Sequence, residues 1–127
     1  MSPGEGRQGA ELKTIFSGKK EKWLPLFRRM LARFVRIGGV DLNPAKTALA
    51  LSPAGAKRPV IGMIRVTSKG LRVALALRGA DTMRSARLKP TRTKSRRFSH
   101  EVLIAEPADI DEELLAWIKA AKRRART

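Results

Sequence analysis

His100 is the only histidine of the chain, and cysteine and tyrosine are absent. Imidazole is the side chain whose ordinary pKa lies near neutrality, so acid–base chemistry at neutral pH would start there. Ser99 and Glu101 flank it. In a strand, adjacent side chains point to opposite faces, so this order predicts no preassembled Ser–His–acid unit. A second candidate is the acid cluster Asp109, Asp111, Glu112 and Glu113. Such carboxylates could serve magnesium or acid–base chemistry, but the positive end of a helix attracts the same residues. Asp109 as N-cap with Glu112 three residues on is the pattern of a capping box, and we read the cluster that way. Gly4-Glu5-Gly6-Arg7-Gln8-Gly9 has nucleotide-loop spacing but no strand before it. Ser17-Gly18-Lys19-Lys20 has the S-x-x-K spacing without its companion motifs. One histidine without cysteine supplies no zinc set. The sequence therefore assigns no catalytic residue, no cofactor and no metal, and an enzyme built on His100 or the acid cluster is its least favoured reading.

What the chain does offer is positive charge. It carries 28 Lys plus Arg against 11 Asp plus Glu, a net of +17 over 127 residues. Self-repulsion on that scale points to a polyanionic partner. The excess lies entirely in residues 1–105, because 106–127 hold five bases and five acids. Two basic groups stand out. On a helix turning about 100° per residue, Lys22, Arg29, Arg33 and Arg36 fall within about 60° of one another. The stretch 84–97 holds seven bases interleaved with Thr91, Thr93 and Ser95, whose hydroxyls could donate to phosphates.

The elements that must carry these groups follow from periodicity. Residues 1–18 are Gly-rich and unpatterned and read as a flexible tail. A single domain over 19–122 and a basic tail over 123–127 follow. Trp23, Phe27, Met30, Leu31 and Phe34 lie on one helical face, Pro25 suits the first turn, and Gly38-Gly39 supplies a stop. Strands are expected at 46–51, 59–67, 71–78 and 98–105. In the third, Leu71, Val73, Leu75 and Leu77 alternate with Arg72, Ala74, Ala76 and Arg78. Phe98, His100, Val102 and Ile104 would share one face of the fourth. Residues 79–97 form a long basic loop, and a helix from about Ile110 to Lys122 ends the domain, with Leu114, Trp117, Ile118 and Ala121 as its apolar stripe. The predicted fold is α+β, an antiparallel sheet of about four strands packed against an N-terminal and a C-terminal helix. With no signal-like N-terminus and no apolar run of about 20 residues, the chain reads as cytoplasmic.

The order of blocks resembles a bacterial domain-of-unknown-function family. Val40-Asp41 through Asn43-Pro44-Ala45-Lys46-Thr47 resembles its opening strand, and Lys69-Gly70-Leu71-Arg72-Val73-Ala74-Leu75-Ala76-Leu77 its basic central strand. Arg87-Leu88 and Arg97-Phe98-Ser99-His100-Glu101-Val102 resemble the next block, and Asp109-Ile110-Asp111-Glu112-Glu113-Leu114-Leu115-Ala116-Trp117 its terminal helix. The resemblance spans about residues 38–121 and implies no active site. Ala48-Leu49-Ala50-Leu51 stands where that family often carries an aromatic, and Lys122 where its helix often ends in tyrosine.

The function expected from these residues is a non-catalytic module that contacts the phosphate backbone of DNA or RNA. Arg29, Arg33 and Arg36 on the helix, with Arg92, Lys94, Arg96 and Arg97 on the loop, are its candidate contacts. An acidic protein or an anionic surface is the alternative partner for the same charges.

Overall fold

The computed structural model describes residues 15–16, 18–37, 40–44, 48–53, 60–77, 87–90 and 98–125. A 3-10 turn at Gly18–Trp23 leads into helix α1, Leu24–Ile37. Pro25 sits in the first turn of α1, where its missing N–H leaves no helical bond unmade. Strands β1 (Val40–Pro44), β2 (Ala48–Pro53), β3 (Gly62–Thr67) and β4 (Gly70–Leu75) follow as an antiparallel meander. Then come β5 (Lys89–Pro90), β6 (His100–Ile104), a 3-10 turn at Pro107–Asp109 and helix α2 (Glu112–Ala125). The fold class is α+β, as expected.

The sheet has six strands in the order β1-β2-β3-β4-β6-β5, not about four. The four expected strands all form, with shifted ends. β1 falls in the block that resembles the family's opening strand; periodicity alone gives no strand there, because Val40-Asp41-Leu42-Asn43-Pro44 is short and ends in turn residues, and pairing with β2 from Val40↔Pro53 to Pro44↔Leu49 makes it one. β5 is a two-residue pairing inside the expected 79–97 loop, held only by Lys89↔Glu101 and Pro90↔His100. No periodicity can announce an element of that length.

Alternation along the strands divides the sheet into two faces. Leu49, Leu51, Ile64, Val66, Leu71, Val73, Leu75, Val102 and Ile104 point inward and are buried. They form one core with Phe27, Met30 and Phe34 of α1 and Leu114, Trp117, Ile118 and Ala121 of α2. Ile15 and Phe16, which composition put in the tail, are buried in that core, and the Phe16 ring centroid lies 5.1 Å from that of Phe27. The opposite, outer face carries Met63, Arg65, Arg72, Ala74, Lys89, Glu101 and Leu103.

The β3–β4 hairpin turns through Ser68-Lys69, with Thr67 opposite Gly70. Thr67 Oγ1 donates to the Gly70 carbonyl at 2.9 Å and accepts from the Lys69 N–H at 3.2 Å. Gly70 has φ +143, and a Cβ there would lie 2.5 Å from the Ile104 carbonyl of β6. Only glycine allows that close approach.

The start of α2 departs from the expected capping box. Asp111, not Asp109, caps the helix, its Oδ1 accepting from the Leu114 N–H at 3.0 Å. Asp109 belongs to the preceding 3-10 turn, where its Oδ2 accepts from Ala105 N–H at 2.9 Å and Glu106 N–H at 3.1 Å. Pro107 opens that separate turn, and the burial of Ile110 between the turn and α2 moves the helix start to Glu112.

Candidate functional site

α1 turns Leu26, Phe27, Met30 and Phe34 to the core, with Leu24 and Leu31 packed against it, and carries its arginines on the other side. Arg28, Arg29 and Arg36 are exposed, and among the described residues none of them forms an ion pair. Arg33 is half-buried, with Nη2 3.1 Å from Glu112 Oε1 at the start of α2. The expected contacts Arg29, Arg33 and Arg36 thus share one helix surface. Lys22 lies in the preceding 3-10 turn, its Nζ 5.1 Å from the Trp23 ring centroid. Arg92, Lys94, Arg96 and Arg97 lie outside the described residues.

Arg87, counted among the basic-loop residues, has a different occupation. Its Nη1 lies 2.7 Å from Asp111 Oδ2 and 3.2 Å from Glu113 Oε1, and its Nη2 donates to the Asp109 carbonyl at 2.8 Å. The guanidinium also stands 5.5 Å from the Trp117 ring centroid. Arg87 therefore fastens the segment before β5 to the first turn of α2. With Glu112 paired to Arg33, all four members of the acid cluster have structural partners. Among the described residues, no group of His, Asp or Glu is arranged to hold a metal ion.

The histidine environment corrects one expectation. Ser99 Oγ lies 2.8 Å from His100 Nδ1, although strand alternation predicts opposed side chains. β6 begins only at His100, so Ser99 is free of the pleat. Ser99 Oγ also accepts from the Leu77 N–H at 3.0 Å, which ties β6 to the end of β4. Glu101 lies on the other face of the sheet, so no carboxylate of β6 completes a Ser–His–acid unit.

A groove of about 500 Å³ opens beside β6, between β5 and the β3–β4 turn. Lys69, Arg72, Lys89, Glu101, Leu103 and Asp109 are among the residues that line it. Glu101 is 8% exposed, and its Oε2 accepts no hydrogen bond; the nearest cation is Arg72, with Nε at 3.6 Å. Arg65 stands directly across from Arg72 on the same face. Like charges placed this way repel, and an anion on the face relieves the repulsion.

This groove was not among the sequence-derived sites. One signal for it was present: Arg65 and Arg72 alternate with buried Ile64, Val66, Leu71 and Val73, which fixes them on the outer face. Alternation with His100 and Val102 set Glu101 on that face too, but its burial, beside Ala74 and Lys89 in the paired strands, had no signal in the sequence.

A family described as a domain of unknown function, DUF5655, matches residues 12–122. The chain belongs to this family, and the match takes in α1 as well as the blocks from residue 38 onward. No curated protein and no solved structure matches the chain.

Proposed function

We propose that this DUF5655 domain is a non-catalytic nucleic-acid-binding module that contacts the phosphate backbone. The observation that carries this reading is the surface of α1, where exposed Arg28, Arg29 and Arg36 have no ion-pair partner among the described residues. Arginine neutralises phosphate and releases its condensed counterions, which supplies most of non-specific affinity. Arg33 joins them at little cost. Its pair with Glu112 is exposed on the carboxylate side, and such pairs are worth about 0–1 kcal/mol. Base stacking is not offered, because Phe16, Phe27, Phe34, Phe98 and Trp117 are buried and the half-buried Trp23 ring carries Lys22 Nζ at 5.1 Å from its centroid. That favours contact with the backbone. Arg92, Lys94, Arg96 and Arg97, outside the described residues, are the further candidate contacts of this reading.

The test is fluorescence anisotropy of the full chain with duplex DNA, single-stranded DNA and RNA at physiological salt. One variant carries Arg29→Gln, Arg33→Gln and Arg36→Gln; a second carries Arg92→Gln, Lys94→Gln, Arg96→Gln and Arg97→Gln. Binding tighter than about 1 μM, weakened about equally for every sequence by the helix variant, is the expected result. Weak binding that neither variant changes overturns the reading and leaves an acidic protein as the partner to seek.

A further inference from the structure

The groove beside β6 lies on the face of the sheet away from α1, and the carboxylate among its cations is nearly buried, unlike the exposed Glu112 beside Arg33. The Glu101 side chain is 11% exposed, lines the groove, and pairs with Arg72 across 3.6 Å, yet its buried Oε2 accepts no hydrogen bond. The ion pair balances the charge, but a buried oxygen left without a hydrogen-bond donor is costly, and native structures leave few of them. Ala74 stands opposite Glu101 on β4 and Lys89 opposite it on β5.

The ligand chemistry follows from this arrangement. A metal ion is disfavoured by Lys69, Arg72 and Lys89 around the carboxylate. A bare phosphate would meet the Glu101 charge at the floor of the groove. A ligand that fits both must bring hydrogen-bond donors to Glu101 and negative charge to the three cations. A nucleotide has this division, with N–H groups on the base edge and charge on the phosphates. Leu103, 40% exposed and directly opposite Arg72, offers an apolar surface for one face of the base.

We propose that the groove holds one base of a single-stranded nucleic acid, with Glu101 accepting from the amino edge of the base and Lys69, Arg72 and Lys89 contacting the flanking phosphates. The proposal rests on the nucleic-acid reading and adds base selection to it. Guanine presents N1–H and the N2 amino group side by side, which matches the two oxygens of a carboxylate. Adenine and cytosine each place an amino group beside a ring acceptor, and uracil flanks its single N–H with two carbonyls. The groove therefore selects guanine first and uracil last. A duplex hides these edges in base pairs, so the strand must be single.

The test is equilibrium binding of the full chain to a uridine 12-mer, to the same oligomer with one central guanosine, and to its inosine counterpart, which lacks the amino group. Wild type should bind the guanosine oligomer about tenfold more tightly than the uridine oligomer, with inosine between them. Glu101→Gln should abolish that preference while binding the uridine oligomer at least as tightly as wild type, since a negative charge leaves the groove, and Lys69→Gln with Lys89→Gln should weaken all three. Equal binding of the three oligomers by wild type overturns the base selection, whatever the variants do, and leaves the backbone reading standing. No binding of any oligomer by wild type, single or duplex, removes the backbone reading and this proposal together.

Discussion

Arg87 makes the densest set of polar contacts of any described side chain, reaching Asp111, Glu113 and the Asp109 carbonyl while facing Trp117. Its planar fork serves several acceptors at once, which an ammonium cannot reproduce. Arg87→Ala should cost about 1–3 kcal/mol, because it leaves a half-buried carbonyl and two carboxylates without their donor. Arg87→Lys should recover less than half of that in urea denaturation. A loss within 0.5 kcal/mol, on the scale of an ordinary surface change, would show that the clamp is ornamental. Gly70 sets a second limit at this scale. Gly70→Ala places a Cβ 2.5 Å from the Ile104 carbonyl at φ +143, and should destabilise by about 2 kcal/mol or more, seen as a fall in Tm. Neither role was readable from composition. Arg87 looked like one more loop base, and its acids lie more than twenty residues away in sequence.

Among the elements, legibility followed local periodicity. α1 begins at Leu24, as its apolar spacing and Pro25 indicated, and the alternation of Leu71, Val73 and Leu75 survives as β4. Elements made by long-range pairing were hidden. β5 exists because Lys89 and Pro90 meet Glu101 and His100. The cap of α2 was misplaced because Asp109 and Asp111 both suit an N-cap by residue type, and only the burial of Ile110 separates them. Asp111→Ala removes both the cap on Leu114 and one partner of Arg87, and should cost about 1–2 kcal/mol, whereas Glu112→Ala should stay within about 0.5 kcal/mol. Chemical denaturation of the two variants side by side checks this. Phe34, 1% exposed, anchors α1 to the sheet, and Phe34→Ala should lose about 3–5 kcal/mol. Of the candidate contacts, Arg29, Arg33 and Arg36 were placed on one helix by spacing alone. The outer-face groove needed the sheet register before Lys69, Arg72, Lys89 and Glu101 could be seen together.

At the scale of the molecule, two layers divide the charge. Both helices cover the inner face of the sheet, so cations are presented outward by α1 on one side and by the outer face of the sheet on the other. No helix among the described residues is long and apolar enough to cross a membrane. With a net charge of +17 over the whole chain, affinity for a polyanion should depend steeply on ionic strength. The most direct test is the affinity of the full chain for single-stranded and duplex oligonucleotides between 50 and 200 mM salt. The account predicts log affinity falling linearly with log salt, with a slope of about −3 or steeper, as several displaced counterions require. A slope near zero, or affinity no higher than that of an unrelated protein of equal charge, would contradict it.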